Sequence, residues 1–311
     1  MIHYRHWIAL ERAHGIGPAA LKELHDTLTP LSVSIEDLFG CTEAEIREEF
    51  SFPEALVKGI IEAKEILPTI EDEYLDINDA GVRPLLFFED GYPKVLAERL
   101  GSQMPPILYT LGNRALLSSK GAAILGHAET SEKGDMIAWG AARECARSGV
   151  TVFGGIAKGP GSAAHAGALE NGGTTVGVIP CGFLTFDLSA KLKTLFDADR
   201  FLIVSPFHPK EEFTQFTAMN RNRVICALSR AVFIVEAPKE GGIFEAAKSA
   251  AKLSIPLYTA EYAQYPESAE GNPILMKDFK ASPVRGRKEG GTVIPNVEAM
   301  IASVKFGKPG A

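Results

Sequence analysis

Residues Val152–Leu169 read VFGGIAKGPGSAAHAGAL. A β-branched and aromatic run ends in a double glycine, a lysine follows inside a second glycine cluster, and an alanine-rich segment then reads as a helix. Strand, glycine turn and helix in that order aim backbone N–H groups and the positive end of a helix at one spot, where an anion can sit. Outward from this stretch, short apolar runs alternate with helical patterns. Strands are expected at Ala122–Leu125, Val150–Phe153, Thr174–Ile179, Phe201–Val204, Ala231–Glu236 and Ile255–Tyr258. Helices are expected at Glu132–Arg147, Ser162–Glu170, Ser189–Phe196, Gln215–Leu228, Phe244–Leu253 and Pro273–Phe279. The alternation predicts an α/β fold: a Rossmann-like, mostly parallel sheet with helices on both faces.

In such a sheet the strand-to-helix turns share one rim, outside the carboxyl ends of the strands. Three glycine-bearing turns qualify: Ala122–Gly134 (AAILGHAETSEKG), the opening stretch, and Val235–Ala247 (VEAPKEGGIFEAA). Neither GxxxxGK[ST] nor GxGxxG occurs in them, which sets aside the two commonest nucleotide signatures. Lys158 lies between the glycine clusters and reads either as a phosphate contact or as a solvated loop lysine. Arg221 and Arg223 flank Asn222 at the start of an apolar helical run, so each must be paired, for example with Glu236, or face an anion. His127 and His165 lie nearest the rim without a carboxylate or serine at catalytic-motif spacing, and read as packed rather than catalytic. Glu236 and Glu245 read as an ion-pair partner and a helix N-terminal charge, with ribose contact or acid–base work as the alternative.

The flanking regions differ in character. Residues 1–75 hold six basic and fifteen acidic residues, a balance of −9, which leaves 26 against 24, or +2, for the remainder. The acidity thus belongs to a helical N-terminal segment, and the remainder can still focus a positive patch. Within that segment Gly15–Pro18 (GIGP) separates two helical runs, as in a helix-hairpin-helix or SAM-like element. It reads either as a phosphate-contacting turn or as the hinge of a plain helical bundle. Further helices are expected near Thr42–Phe50 and Pro53–Leu67, a strand at Val82–Phe88 and an edge strand near Ile107–Leu111. Domain limits follow at 1–75, 76–281 and 282–311, the last a mobile tail in which VIPNVEAMIASV forms a docked helix. No apolar run reaches about 18 residues, and no secretory signal opens the chain, so no membrane partner is expected. Cys41, Cys145, Cys181 and Cys226 form no CxxC pair, which suits a reducing cytoplasm and argues against zinc or disulfides.

The chain resembles the DNA-processing protein A (DprA/Smf) family. The likeness runs through the GIGP-bearing N-terminus, GYPKVL, PPILYTLGN, AAILGHAETSEKG, GGIAKGPGSAAHAGAL, TTVGVIPCG, MNRNRVICALSRAVFIVEA, KEGGIFEAAKSA and GNPILM, in that order. It implies a non-catalytic, cofactor-free protein that binds single-stranded DNA, dimerises and helps load a RecA-type recombinase in natural transformation. The implied phosphate-binding set is Gly126, His127, Gly155, Lys158, Gly159, Arg221, Asn222, Arg223, Gly241 and Gly242. The chain departs from the family in two turns. Gly126-His127-Ala128 stands where the family has Gly-Ser/Thr-Arg, and Gly154–Gly161 lacks the family's serine and aspartate. Loss of that arginine lowers the salt dependence of binding by about one charge, and His127 supplies a cation there only when protonated. The family's optional winged-helix domain is not expected, since 30 residues follow position 281. Two alternatives stand beside this reading. One is a nucleotide sensor or nucleoside-phosphate hydrolase of the same superfamily, to whose Pro-Gly-Gly-x-Gly-Thr-x-x-Glu motif PKEGGIFEAA conforms only at Gly241, Gly242 and Glu245. The other is a scaffold that has lost its ligand.

Overall fold

The computed structural model describes residues 3–289 and 292–307. Five helices open the chain: α1 (Tyr4–Arg12), α2 (Pro18–Leu31), α3 (Ile35–Gly40), α4 (Glu43–Glu49) and α5 (Glu54–Asp79). Ser34 and Thr42 begin α3 and α4 with reciprocal capping boxes to Asp37 and Glu45, which satisfy orphan N–H groups at the start of each helix. Then follow β1 (Arg83–Leu86), α6 (Lys94–Leu100) and β2 (Ile107–Gly112). The alternating part runs β3 (Gly121–Leu125), α7 (Glu132–Arg147), β4 (Thr151–Gly155), α8 (Pro160–Glu170), β5 (Thr175–Val178), α9 (Ala190–Leu195), β6 (Phe201–Ser205) and α10 (Gln215–Leu228). It continues through β7 (Ala231–Ile234), α11 (Gly242–Lys252), β8 (Leu257–Ala260), α12 (Asn272–Asp278) and β9 (Ser282–Val284). A hairpin of β10 (Gly286–Glu289) and β11 (Thr292–Pro295) leads into α13 (Glu298–Phe306).

Among the described residues, nine strands form one sheet in the order β1-β2-β6-β5-β4-β3-β7-β8-β9. Pairing is antiparallel for β1–β2 and β2–β6 and parallel from β6 to β9. The chain therefore builds outward from β3 to β6, then returns to lay β7 on the other side of β3. Between β3 and β7 the strand order reverses, and on a sheet of this kind the ligand crevice belongs there, outside the carboxyl ends of the strands.

Both faces of the parallel strands are covered. Ala123 and Leu125 of β3 and Val232 and Ile234 of β7 face Val224, Phe244 and Leu275. Their neighbours Ala122, Ile124, Ala231 and Phe233 face Ala138, Ala142, Ala164, Met300 and Val304. Alternate residues of one strand thus fill two cores, and the strands read as unbroken apolar runs for that reason. A third core joins Leu10, Leu24 and Ile60 of the N-terminal helices to Leu86, Ile107 and Tyr109 of β1 and β2. The acidic segment is thereby held at the antiparallel end of the sheet.

Two expectations are corrected. Ile107–Leu111 is not an edge strand: β2 lies between β1 and β6, and β1 is the edge. The described part of residues 282–311 is not a free extension. Tyr258, Thr259 and Ala260 pair with Ser282, Pro283 and Val284, so β9 ends the sheet. The docked helix expected within VIPNVEAMIASV is present as α13, buried through Met300 and Val304, and Tyr258 shares a hydrogen bond with Ser303 at 2.6 Å. Gly290, Gly291 and residues 308–311 lie outside the described residues.

Candidate functional site

The crevice is lined by the turns that follow β3, β4 and β7. The backbone N–H of His127 donates to Glu236 O at 3.0 Å, tying the first turn to the segment after β7. The second turn packs against the first, and glycine allows it. Gly159 has φ +83°, and a Cβ there would stand 3.0 Å from Ala128 O and 3.1 Å from His127 O. A Cβ on Gly126 would stand 2.6 Å from Pro160 Cγ. Pro160 begins α8 at a position where its missing N–H costs no hydrogen bond. Lys158 stands exposed on this turn and, among the described residues, has no ion pair.

Arg221 reaches from α10 to the carboxyl ends of β4 and β5, on the same rim beside the crevice. Its guanidinium lies over Gly155, with Nη1 2.1 Å from where a Cβ would be, so a side chain at 155 would push it aside. The residue is 7% exposed. Among the described residues it makes one hydrogen bond, from Nη1 to Val178 O at 3.1 Å, and Nε has no partner. Burial pushes its pKa down to about 10, which still leaves it charged at neutral pH. The alternative of pairing with Glu236 is not realised. A buried guanidinium with five donors, one acceptor and no carboxylate is short of an anion.

Glu236 is fully buried and already satisfied. It accepts from Thr130 Oγ1 at 2.6 Å, Ser131 N at 2.9 Å and Ser131 Oγ at 2.5 Å. It also accepts from Tyr262 OH at 2.7 Å and Ser268 Oγ at 2.6 Å. Burial alone would raise its pKa, but the donors of Ser131, Ser268 and Thr130 outweigh it and hold the carboxyl below its usual range. Ser131 also caps α7 by accepting from Gly134 N at 3.0 Å. Glu236 is therefore a clasp between β7 and the head of α7. The four hydroxyl residues around it escaped the sequence reading, because Ser268 and Tyr262 are distant in the chain and serine or threonine before a helix reads simply as a cap.

The remaining candidates divide by direction. His165 is buried, not at the rim: Thr175 Oγ1 donates to Val152 O and accepts from His165 Nδ1 at 2.7 Å, and the ring stacks on Phe201. Asn222 donates to Gly242 O at 3.3 Å, so Asn222, Gly241 and Gly242 form a second group where α11 begins. Glu245 at that end pairs with Lys248 at 2.7 Å. Arg223 is turned away from Arg221 and donates to Asn220 Oδ1 at 3.3 Å. At the GIGP turn, Ile16 is packed against Gly59, and the His14 N–H is taken by the Glu62 carboxylate at 3.0 Å. That carboxylate stands where a phosphate would have to come, which favours the bundle-hinge reading. Among the described residues no cluster fit to hold a metal occurs, and no helix is long and apolar enough to cross a membrane.

Comparison with known proteins bears on the family and the fold. The chain is similar to Protein Smf of Synechocystis sp., 28% identical over 276 residues, covering 86% of this chain and 66% of that protein. It is similar to DNA processing protein DprA of Streptococcus pneumoniae, 31% identical over 179 residues, covering 56% and 61%. The matched part is thus about two thirds of those relatives' length or less. Among solved structures, the X-ray structure of DprA from Streptococcus pneumoniae superposes with a TM-score of 0.71 at 22% identity, covering 91% of this chain and 95% of that one. The structure of DNA processing protein A from Helicobacter pylori gives 0.54 at 24% identity, covering 65% and 90%. At those identities the likeness is one of fold. The model of the DNA recombination-mediator protein A family matches residues 83–290. Because that match runs through more than half of the sequence and all three turns of the crevice, the chain belongs to the DNA recombination-mediator protein A family.

Proposed function

We infer that this chain binds single-stranded DNA along the rim formed by the carboxyl ends of β5, β4, β3 and β7, as a non-catalytic, cytoplasmic DNA-processing protein. One observation carries the reading: Arg221 is a buried, charged guanidinium with one hydrogen bond, aimed across Gly155 at the carboxyl ends of the strands. Lys158 on the facing turn adds a cation that follows a flexible backbone as a point charge. Gly126, His127, Gly155 and Gly159 leave their backbone close to the bound strand. Asn222, Gly241 and Gly242 extend the same rim. DNA processing protein A of Helicobacter pylori, which shares this fold, binds single-stranded DNA. Assembly as a homodimer and delivery of DNA to a RecA-type recombinase are the finer parts of this reading and rest on the family alone.

Against the hydrolase alternative stands Glu236, whose oxygens are taken up by five donors, leaving it poorly placed as acid or base. A labelled oligonucleotide, titrated at several salt concentrations with duplex DNA and free nucleotides as competitors, tests the proposal. Single-stranded binding should weaken steeply with salt and resist both competitors. Displacement by a mononucleotide at micromolar concentration would return the sensor reading, and no binding at low salt would return the scaffold.

A further inference from the structure

The face formed by α6, α10 and α11 carries three neighbouring cavities with shared lining residues. The first, about 390 Å³, extends from Pro18 at the head of α2 to Phe216, Asn220 and Arg223 of α10. The second, about 440 Å³, shares Ser102, Gln103 and Arg223 with it and adds Lys252. The third, about 590 Å³, joins the second at Arg99 and brings in Lys94 and Arg230. Among the described residues no aspartate or glutamate lines any of them, in a chain where acidic residues outnumber basic ones 39 to 32. Lys94, Arg230 and Lys252 are exposed and, among the described residues, have no ion pair. Arg99 is held in place by donating to Ala227 O at 2.8 Å and Ser229 O at 2.7 Å. Its helix neighbour Glu98 is exposed and does not line the cavities. Phe216, 71% exposed, stands at the mouth of the first cavity.

A channel with five cations, amide and hydroxyl groups, no carboxylate and an exposed ring has the chemistry of a single-strand groove. The cations track the phosphodiester backbone and the ring stacks a base. One nucleotide fills one such cavity, whereas three in series fit a chain. On a helix, residues two apart point about 200° from each other, so α10 offers Arg221 to the rim and Arg223 to this channel. We propose that the channel is a second nucleic-acid track, which takes the continuation of a single strand whose first part lies along the rim. The proposal rests on the rim reading for where the strand begins, not for the chemistry of the track.

The test compares a short oligonucleotide of about six nucleotides with a long one of about thirty, on wild type and on the triple variant Lys94→Ala, Arg230→Ala, Lys252→Ala. For the triple variant, affinity for the long strand should fall at least about tenfold, and the slope of log K against log salt should become shallower by about 2. Its affinity for the short strand should stay unchanged. Equal losses on both strands, or no loss on the long one, would overturn the track. So would polyglutamate that displaces the long strand at equal charge concentration, since the channel would then suit an acidic protein. A parallel variant, Lys158→Ala with Arg221→Met, separates the two readings. If it binds the short strand normally, the rim reading fails, while the triple variant's loss on the long strand still decides the track.

Discussion

At the residue scale, burial decides which charged groups are free for ligand and which serve the fold. His165 is of the second kind. Its Nδ1–H is fixed by Thr175, and Nε2 faces Gly154 with no partner, so burial lowers its pKa to about 4. The folded chain keeps it neutral, while the unfolded chain protonates it near the ordinary histidine pKa of about 6.5. Its stability contribution is therefore whole above that value and declines as pH falls toward 4, at up to about 1.4 kcal/mol per pH unit. Urea unfolding between pH 7 and pH 4 should show this slope in wild type, and His165→Gln should flatten it. Equal slopes in the two proteins would mean that His165 does not stay neutral in the fold. Arg221 is of the first kind, because neither burial nor its single hydrogen bond gives it a counter-charge. Its charge and its neighbourhood to an apolar run were legible in the sequence. That its guanidinium fills the space over Gly155 was not, because the two residues lie on different elements and meet only in the folded chain.

At the element scale, the rim is held by the Glu236 clasp. Five donors converge on one carboxylate and tie β7, the head of α7 and the segment after β8 together. Glu236→Gln turns one acceptor oxygen into a donor facing donors, and should cost about 2–4 kcal/mol in chemical denaturation. DNA affinity should drop as well, since the first turn loses its anchor; a loss under about 0.5 kcal/mol would mean that water replaces the clasp. Helices α7 and α10 begin and end where their caps and apolar spacing predict, at Glu132–Arg147 and Gln215–Leu228. The elements that escaped are those with little local signal. α3 is only six residues long and depends on its capping box, and β9 is a three-residue strand recognisable only once β8 is beside it. α5 runs to Asp79, twelve residues past the expected end, with Pro68 inside it, because its apolar stripe continues through Ile70 and Ile77 into the third core.

At the scale of the whole molecule, a net charge of −7 coexists with a basic face because the charges are segregated by the fold. The acidic helices pack on β1 and β2, and three strands separate β2 from β3, the first strand of the crevice. The uneven charge and the order of strands and helices could be read directly. Which turns touch, and which way Arg221 and Arg223 point, could not, because those depend on the reversal of strand order between β3 and β7. Among the described residues Arg221 is held without a counter-ion, as a guanidinium that meets a phosphate must be. Arg221→Met tests this role most directly when melting temperature and salt-titrated single-stranded DNA affinity are measured on the same sample. A methionine of similar volume removes a buried charge, so the melting temperature should hold or rise. Affinity should fall at least about tenfold, with the salt slope shallower by about 0.7. Unchanged DNA affinity in a variant that melts like wild type would contradict the account.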